Sequence, residues 1–366
     1  MKQSNLMVAV IAIAIMLCAN QSNAQLKTPE ASQRAQVTQR IGITDITIDY
    51  GRPSVKDREI WGKLVPFGYN DLGFGTSKAA PWRAGANQNT TIEFSHDVKV
   101  EGKDIKAGIY GLHIALKEDD NATIIFSKNS SSWGSYFYDE KEDVLRVDVQ
   151  TKATPYTETL LFLFPSFDDT STTAILRWEK KEIPFKIEVD VTNIVMNGIK
   201  NDLRSSAGFT QSNWDTAANY AFNAGDLDQA LEWINTSISG NFFSKETFGN
   251  LSLKSQILAK QGKIQEAMSL IDKAAVLGNA TQVFQLGTSL ISQGQKDKAL
   301  EVLKNNVKNN NGAWPSNYGL AKAYSATGDY KSAVKSMNVA MNNAPERFKG
   351  RLSSELERLK KGQDIN

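Results

Sequence analysis

The chain has 366 residues, 41% of them apolar and 22% charged, with 25 Gly and 9 Pro, a balance that excludes disordered, collagen-like and multi-span membrane chains. Its 42 basic and 40 acidic residues leave a formal charge of +2, too even for the basic footprint of a nucleic-acid binder, so no nucleic-acid partner is expected. A single cysteine, Cys18, and two histidines rule out disulfides and zinc-cysteine sites, and no cofactor or metal is expected.

Lys2 precedes an apolar run from Leu6 to Ala19, which is too short to span a bilayer as a helix at roughly 20 residues. Ser22 and Ala24 have the spacing of an A-x-A cleavage site, so residues 1–24 read as a secretory signal whose removal leaves Gln25 first. A periplasmic or secreted protein with no transmembrane span in its mature chain is expected; lipidation of Cys18, giving an anchored envelope protein, is the lesser alternative. The remaining length asks for two domains, placed at 25–193 and 194–366.

From Ile41 to Asp190 the chain reads as short strands separated by Gly, Pro, Asn and Asp clusters. The strands are Ile41 to Tyr50, Thr90 to Phe94, Ile109 to Leu116, Thr123 to Phe126, Leu145 to Gln150, Thr159 to Phe164, Ala174 to Trp178 and Pro184 to Val189. In Leu145-Arg146-Val147-Asp148-Val149 apolar and charged residues alternate, as in a strand with one buried face. No helical pattern supplies the crossovers of a parallel sheet, so an all-β antiparallel sandwich is expected.

Beyond Val191 the period becomes helical, and a unit recurs: Gly225-Asp226-Leu227-Asp228-Gln229-Ala230, then its counterparts beginning at Gly262, Gly294 and Gly328. Each glycine stops one helix, and the alanine five residues later lets the next helix come close. Small residues stand seven positions before each glycine (Ala218, Ser255, Gly287, Ala321), and apolar ones four positions after each alanine (Ile234, Ile271, Leu303, Met337). This pattern resembles the tetratricopeptide repeat. The resemblance implies an all-α array of about four antiparallel helix pairs, a capping helix from about Glu346 to Lys361, and a protein partner on the concave face. Lys298, beside the third repeat alanine, is expected at the surface. Residues 25–193 carry a net −4 and residues 194–366 a net +5.

Little in the chain carries chemistry. Gly68 to Gly75 lacks the lysine of a phosphate loop, and Asp139 to Asp143 lacks the glycine and terminal glutamate of a calcium loop. His113 is out of phase with Leu112 and Ile114, hence on the outer face of its strand, where a cleft would make it a general base. Tyr50-Gly51-Arg52-Pro53-Ser54 and Trp82-Arg83-Ala84-Gly85-Ala86-Asn87 put guanidinium, indole and amide groups in loops, the usual make-up of a ligand mouth on a β scaffold. Those two stretches, with Ala107-Gly108-Ile109-Tyr110, Trp133-Gly134 and Leu145-Arg146-Val147, resemble a secreted bacterial family catalogued as domain of unknown function 2911, over about residues 36–190. The resemblance implies an envelope β-sandwich and no particular reaction. Where relatives often carry glutamate after the Ala-Asn pair this chain has Gln88.

The reading is of an exported binding and scaffold protein, more plausibly not an enzyme. Arg52, Trp82, Arg83 and Asn87 form a mouth for an anionic or carbohydrate ligand, and the repeats hold a protein partner. The alternative is a hydrolase acting on an envelope glycan or other anionic substrate, with His113 as base.

Overall fold

The computed structural model describes residues 28–366; the leader, its cleavage site and Cys18 lie outside the described residues. The chain divides into two compact units, the first ending at Val191 and the second running from Thr192 to Asn366.

In the first unit, ten strands make two sheets. The six-stranded sheet has the order β1 (Arg34–Ile41), β2 (Thr44–Gly51), β3 (Thr91–Phe94), β6 (Gly108–Leu116), β7 (Asn121–Ser127) and β8 (Asp143–Gln150). The four-stranded sheet runs β5 (Lys103–Ile105), β4 (Val98–Val100), β10 (Ser171–Glu188) and β9 (Lys152–Leu163). Every ladder is antiparallel. Ile46, Ile48, Ile92, Phe94, Leu112, Ile114, Ile124 and Phe126 from the larger sheet meet Leu160, Phe162, Leu176, Trp178 and Phe185 from the smaller, all buried. Tyr50 and Phe162 touch edge to face at 4.9 Å across the two sheets, and the Tyr50 hydroxyl accepts the Phe162 backbone N–H at 3.0 Å.

Two local features differ from the sequence expectation. Arg34–Ile41 is a strand although only Ala35, Val37 and Ile41 in it are apolar, because it pairs along its whole length with β2. The charged stretch Glu179 to Glu182, which separates two expected strands, lies inside one 18-residue strand. The ladder with β9 shifts register on either side of Glu179, whose φ is 53°, so a bulge rather than a turn absorbs the charges. Pro184 falls between the residues paired with β9 and those paired with β4, where its missing N–H is not needed.

The second unit is helical. After α1 (Val191–Asp202) come four pairs: α2 (Gln211–Ala224) with α3 (Leu227–Ile238), α4 (Phe248–Lys260) with α5 (Ile264–Leu277), α6 (Ala280–Ser292) with α7 (Lys296–Asn309), and α8 (Trp314–Ala326) with α9 (Tyr330–Asn343). A final helix, α10 (Glu346–Lys360), follows Pro345. The four turn glycines have φ of 86°, 80°, 79° and 84°, the left-handed region that glycine enters without a Cβ penalty. Ala230, Ala267, Ala299 and Ala333 are buried at the crossings, and the Ser255 hydroxyl donates to the Ala267 carbonyl at 2.9 Å, joining α4 to α5.

Ala299 is wholly buried, so Ala299→Leu should cost about 1–3 kcal/mol by overpacking. Lys298 is not the free surface residue expected from sequence. Its side chain is 15% exposed, and its ammonium pairs with Asp272 of α5 at 2.5 Å and Glu301 at 3.1 Å. Lys298→Ala should therefore cost about 1 kcal/mol, between the worth of an exposed pair and a buried one. Urea midpoints of the two variants check both numbers, and an Ala299→Leu variant as stable as the wild type would remove the packing argument for Ala299.

Candidate functional site

The loops predicted to form a mouth do meet. Gly51 lies against the backbone of residues 85–86: a Cβ on Gly51 would stand 2.2 Å from the Ala86 carbonyl oxygen, and one on Gly85 would stand 3.0 Å from the Gly51 carbonyl oxygen. Glycine at both positions is what lets the two backbones approach.

The side chains around this contact have separate destinations. Arg52 Nε donates to the Leu160 carbonyl at 3.0 Å, tying the end of β2 to β9 in the other sheet. Arg83 Nη1 donates to the Asn87 carbonyl at 2.7 Å, and its guanidinium lies 5.0 Å from the centre of the Tyr136 ring. Asn87, at φ 64°, sends Nδ2 to Glu30 Oε2 at 2.9 Å and to the Ser32 carbonyl at 3.1 Å. Trp82 stacks on Trp178 at 6.0 Å, meets Trp61 edge to face at 5.9 Å, and exchanges backbone hydrogen bonds with Ile114. Of the four, Trp82 and Arg83 line one cavity of about 110 Å³, together with Ser135, Leu64, Asn70 and Leu72. Arg52 and Asn87 are not part of its wall. Arg83→Lys keeps the charge but loses the planar fork and its fit over Tyr136, so a loss of about 1–2 kcal/mol in chemical denaturation is expected. A change within about 0.5 kcal/mol would free Arg83 from its loop-holding role.

His113 is on the outer face of the six-stranded sheet, as its phase requires, but that face is covered. His113 is 2% exposed, and it shares a cluster with Ala115, Ile125 and Tyr138 under the segment 130–140. His113 Nδ1 and the fully buried Ser135 Oγ are joined by a 2.9 Å hydrogen bond. Burial, with the Arg83 charge as a smaller contribution, pushes its pKa down to about 4, so the imidazole is neutral at pH 7. The open cleft that would have made His113 a general base is filled by the protein itself.

Sequence reasoning missed the polar group beside it. Asp143 Oδ2 accepts from the Tyr138 hydroxyl at 2.7 Å and from Arg146 Nε at 2.6 Å, while Arg146 Nη2 donates to the Tyr138 oxygen at 2.8 Å. Burial raises the Asp143 pKa against the opposing pull of these donors. Tyr138 and Arg146 face a shallow cleft of about 560 Å³ with Tyr69, Lys78 and Glu140. The alternation around Arg146 and the acidic stretch ending at Asp143 were visible in the sequence; Tyr138, which joins them, comes from a loop with no periodicity.

In the repeat unit, a cleft of about 500 Å³ opens between α4, α5 and α6. Phe248, Met268, Ile271 and Leu286 give it an apolar floor, and Gln256 and Gln293 stand on its walls. Ser252 Oγ and Gln295 Oε1 on the same lining are buried without a hydrogen-bond partner among the described residues. Such atoms carry an energetic cost that a bound polar group would relieve. Among the described residues no group of three or more His, Cys, Asp or Glu is placed to hold a metal ion, and no helix is long and apolar enough to cross a membrane.

A family described as a protein of unknown function (DUF2911) matches residues 32–187, and a tetratricopeptide repeat matches residues 315–346. The first match covers under half of the chain and the second a single helix pair, α8 with α9. The DUF2911 region takes in the two facing sheets and every residue of the predicted mouth. Among solved structures, the C-terminal part of a TPR repeat-containing protein from Cytophaga hutchinsonii is similar at 15% identity over 46% of this chain and 70% of that one, with a TM-score of 0.35. A thermophilic TPR protein of Thermus thermophilus is similar at 17% identity over 46% and 91%, with a TM-score of 0.32. YrrB, described as a TPR protein with an unusual peptide-binding site, is similar at 14% identity over 45% and 84%, with a TM-score of 0.31. Comparison with curated proteins finds no match.

Proposed function

We propose that the protein is an exported envelope scaffold whose repeats hold a protein partner. The observation that carries this reading is the cleft between α4, α5 and α6. It joins an apolar floor to buried polar atoms that have no partner among the described residues, and a bound peptide's backbone would supply one.

Two measurements test it. The intact mass of the protein from its native envelope should correspond to a chain beginning at Gln25; a diacylglycerol mass at Cys18 supports the anchored form, and an unprocessed chain in the cytoplasm removes export. Met268→Arg and Leu286→Arg, placed on the cleft floor, should release the partner retained by the wild-type protein at a temperature where circular dichroism shows both variants folded. Retention by both variants rejects the cleft as the binding surface.

The hydrolase alternative draws on one contact, the Ser135–His113 hydrogen bond beside Arg83. The serine is fully buried and the imidazole is held by that serine rather than by a carboxylate, an arrangement suited to filling space in the loop layer.

A further inference from the structure

The repeat unit contains a second, smaller site. Trp314, Tyr318 and Lys322 stand at i, i+4 and i+8 on α8 and so share one face of that helix. With Phe284 of α6 and with Phe348 and Arg351 of α10, they bound a cavity of about 340 Å³. Four rings wall it: the Trp314 and Phe348 centroids are 4.7 Å apart, Phe284 and Tyr318 5.3 Å, and Trp314 and Tyr318 6.4 Å. Lys322 Nζ and Arg351 Cζ lie 5.8 Å and 5.9 Å from the Tyr318 ring centre.

The two cations differ in how they are compensated. Arg351 Nε donates to Glu355 Oε1 at 2.9 Å, and the same oxygen accepts from the Tyr318 hydroxyl at 3.1 Å. Lys322 has only the Ile365 carbonyl, at 3.0 Å, and makes no ion pair among the described residues. Burial pushes its pKa down against the pull of Glu355 and Asp364. The nearby carboxylates are already engaged, Glu355 by Arg351 and the Tyr318 hydroxyl and Asp364 by Ser325 and Asn366. A carboxylate entering the cavity would give Lys322 an ion pair. A cavity of this size is at the low end for a ligand pocket and takes one flat side chain.

We propose that this aromatic box receives an acidic segment of a protein partner, with an aromatic side chain set among Trp314, Tyr318 and Phe348 and a neighbouring Asp or Glu carboxylate against Lys322. The inference rests on the reading of the repeats as a partner-binding unit and adds the chemistry that the partner must carry. It is consistent with the net +5 of residues 194–366.

The test uses the full chain and fluorescently labelled hexapeptides, acetylated and amidated so that they carry no terminal charge. One has phenylalanine beside aspartate; in the controls asparagine replaces the aspartate or alanine replaces the phenylalanine. The first should bind at least tenfold more tightly than either control. Lys322→Met, which keeps the apolar stem, should bind the aspartate and asparagine peptides equally. Thr288→Trp, which fills the cavity from α6, should bind neither; if that variant does not fold, Phe348→Leu should weaken the phenylalanine peptide tenfold and leave the alanine control unchanged. Equal binding of the acidic and amide peptides to wild type overturns the proposal. So does binding that survives Thr288→Trp, or binding only of a peptide with a free C-terminal carboxylate. If the hexapeptides fail while Met268→Arg still releases the retained partner, the box is wrong and the scaffold reading stands.

Discussion

Lowering the pH from 7 to 4 is expected to remove about 3 kcal/mol from the stability of the β unit through His113 alone. The folded-state pKa is about 4 because burial disfavours the charged imidazole, while the unfolded chain titrates near 6.5. A depressed histidine pKa means that the unfolded state takes up its proton first. The contribution is therefore complete above pH 6.5 and is lost progressively as the pH falls toward 4, at about 1.4 kcal/mol per unit of difference. His113 is 2% exposed, so solvent screening does not dilute the effect. Asp143 acts in the opposite sense: its raised pKa lets the folded state bind a proton before the unfolded one, so it gives back some stability on acidification. Denaturation at several pH values should show wild type losing about 3 kcal/mol more than His113→Gln between pH 6.5 and 4. Asp143 is common to both proteins and cancels. Parallel curves would mean that the imidazole is protonated in the folded state, and the covered face would then have to admit water.

The repeat array was legible because its signals are local. A glycine with positive φ, an alanine five residues on and a small residue seven back each report the geometry of one turn and one crossing, all inside a single unit of sequence. The sandwich was legible as a class for the same reason, since alternation along a strand records which face is buried. What sequence could not give was what covers a face. His113 was assigned to the correct side of β6, yet whether that side meets water depends on a loop that arrives from some twenty residues away and carries no period. Arg52 and Arg83 illustrate the same limit: residue type marks a strong donor, but the carbonyls of Leu160 and Asn87 that claim those donors are set by tertiary contact and a left-handed turn. The aromatic box was hidden because its rings come from three helices at separations of 30 residues or more, each reading by itself as ordinary core. Lys298 shows the converse, a lysine read as solvated whose stem crosses to an aspartate on the preceding helix pair.

Gly287→Leu is expected to cost at least about 3 kcal/mol, the upper end for overpacking, because the space beside this glycine is already filled by one side chain. A Cβ at Gly287 would stand 2.4, 2.5 and 2.6 Å from Leu303 Cγ, Cδ1 and Cδ2, and Leu303 is itself fully buried. Gly319 on α8 faces the same leucine, with a Cβ 2.8 Å from Leu303 Cδ2. The isopropyl end of Leu303 is thus clasped between two glycines, and α6, α7 and α8 are brought together by the absence of side chains at both. The other units place Ala218, Ser255 and Ala321 at the equivalent position, so glycine here answers to where the Leu303 side chain is packed and not to backbone conformation, which is helical. Helix propensity would favour alanine by about 1 kcal/mol, and a glycine retained against that preference marks a steric demand. Leu303→Ala alone should cost about 2–5 kcal/mol by opening a cavity. If the two residues oppose each other as described, Gly287→Leu combined with Leu303→Ala should be more stable than the sum of the single losses predicts, by about 1–3 kcal/mol, since the new leucine fills the space the old one vacates. Strict additivity in that double-mutant cycle would show that the cost at Gly287 arises elsewhere, and the account of how the third and fourth helix pairs are joined would fall with it.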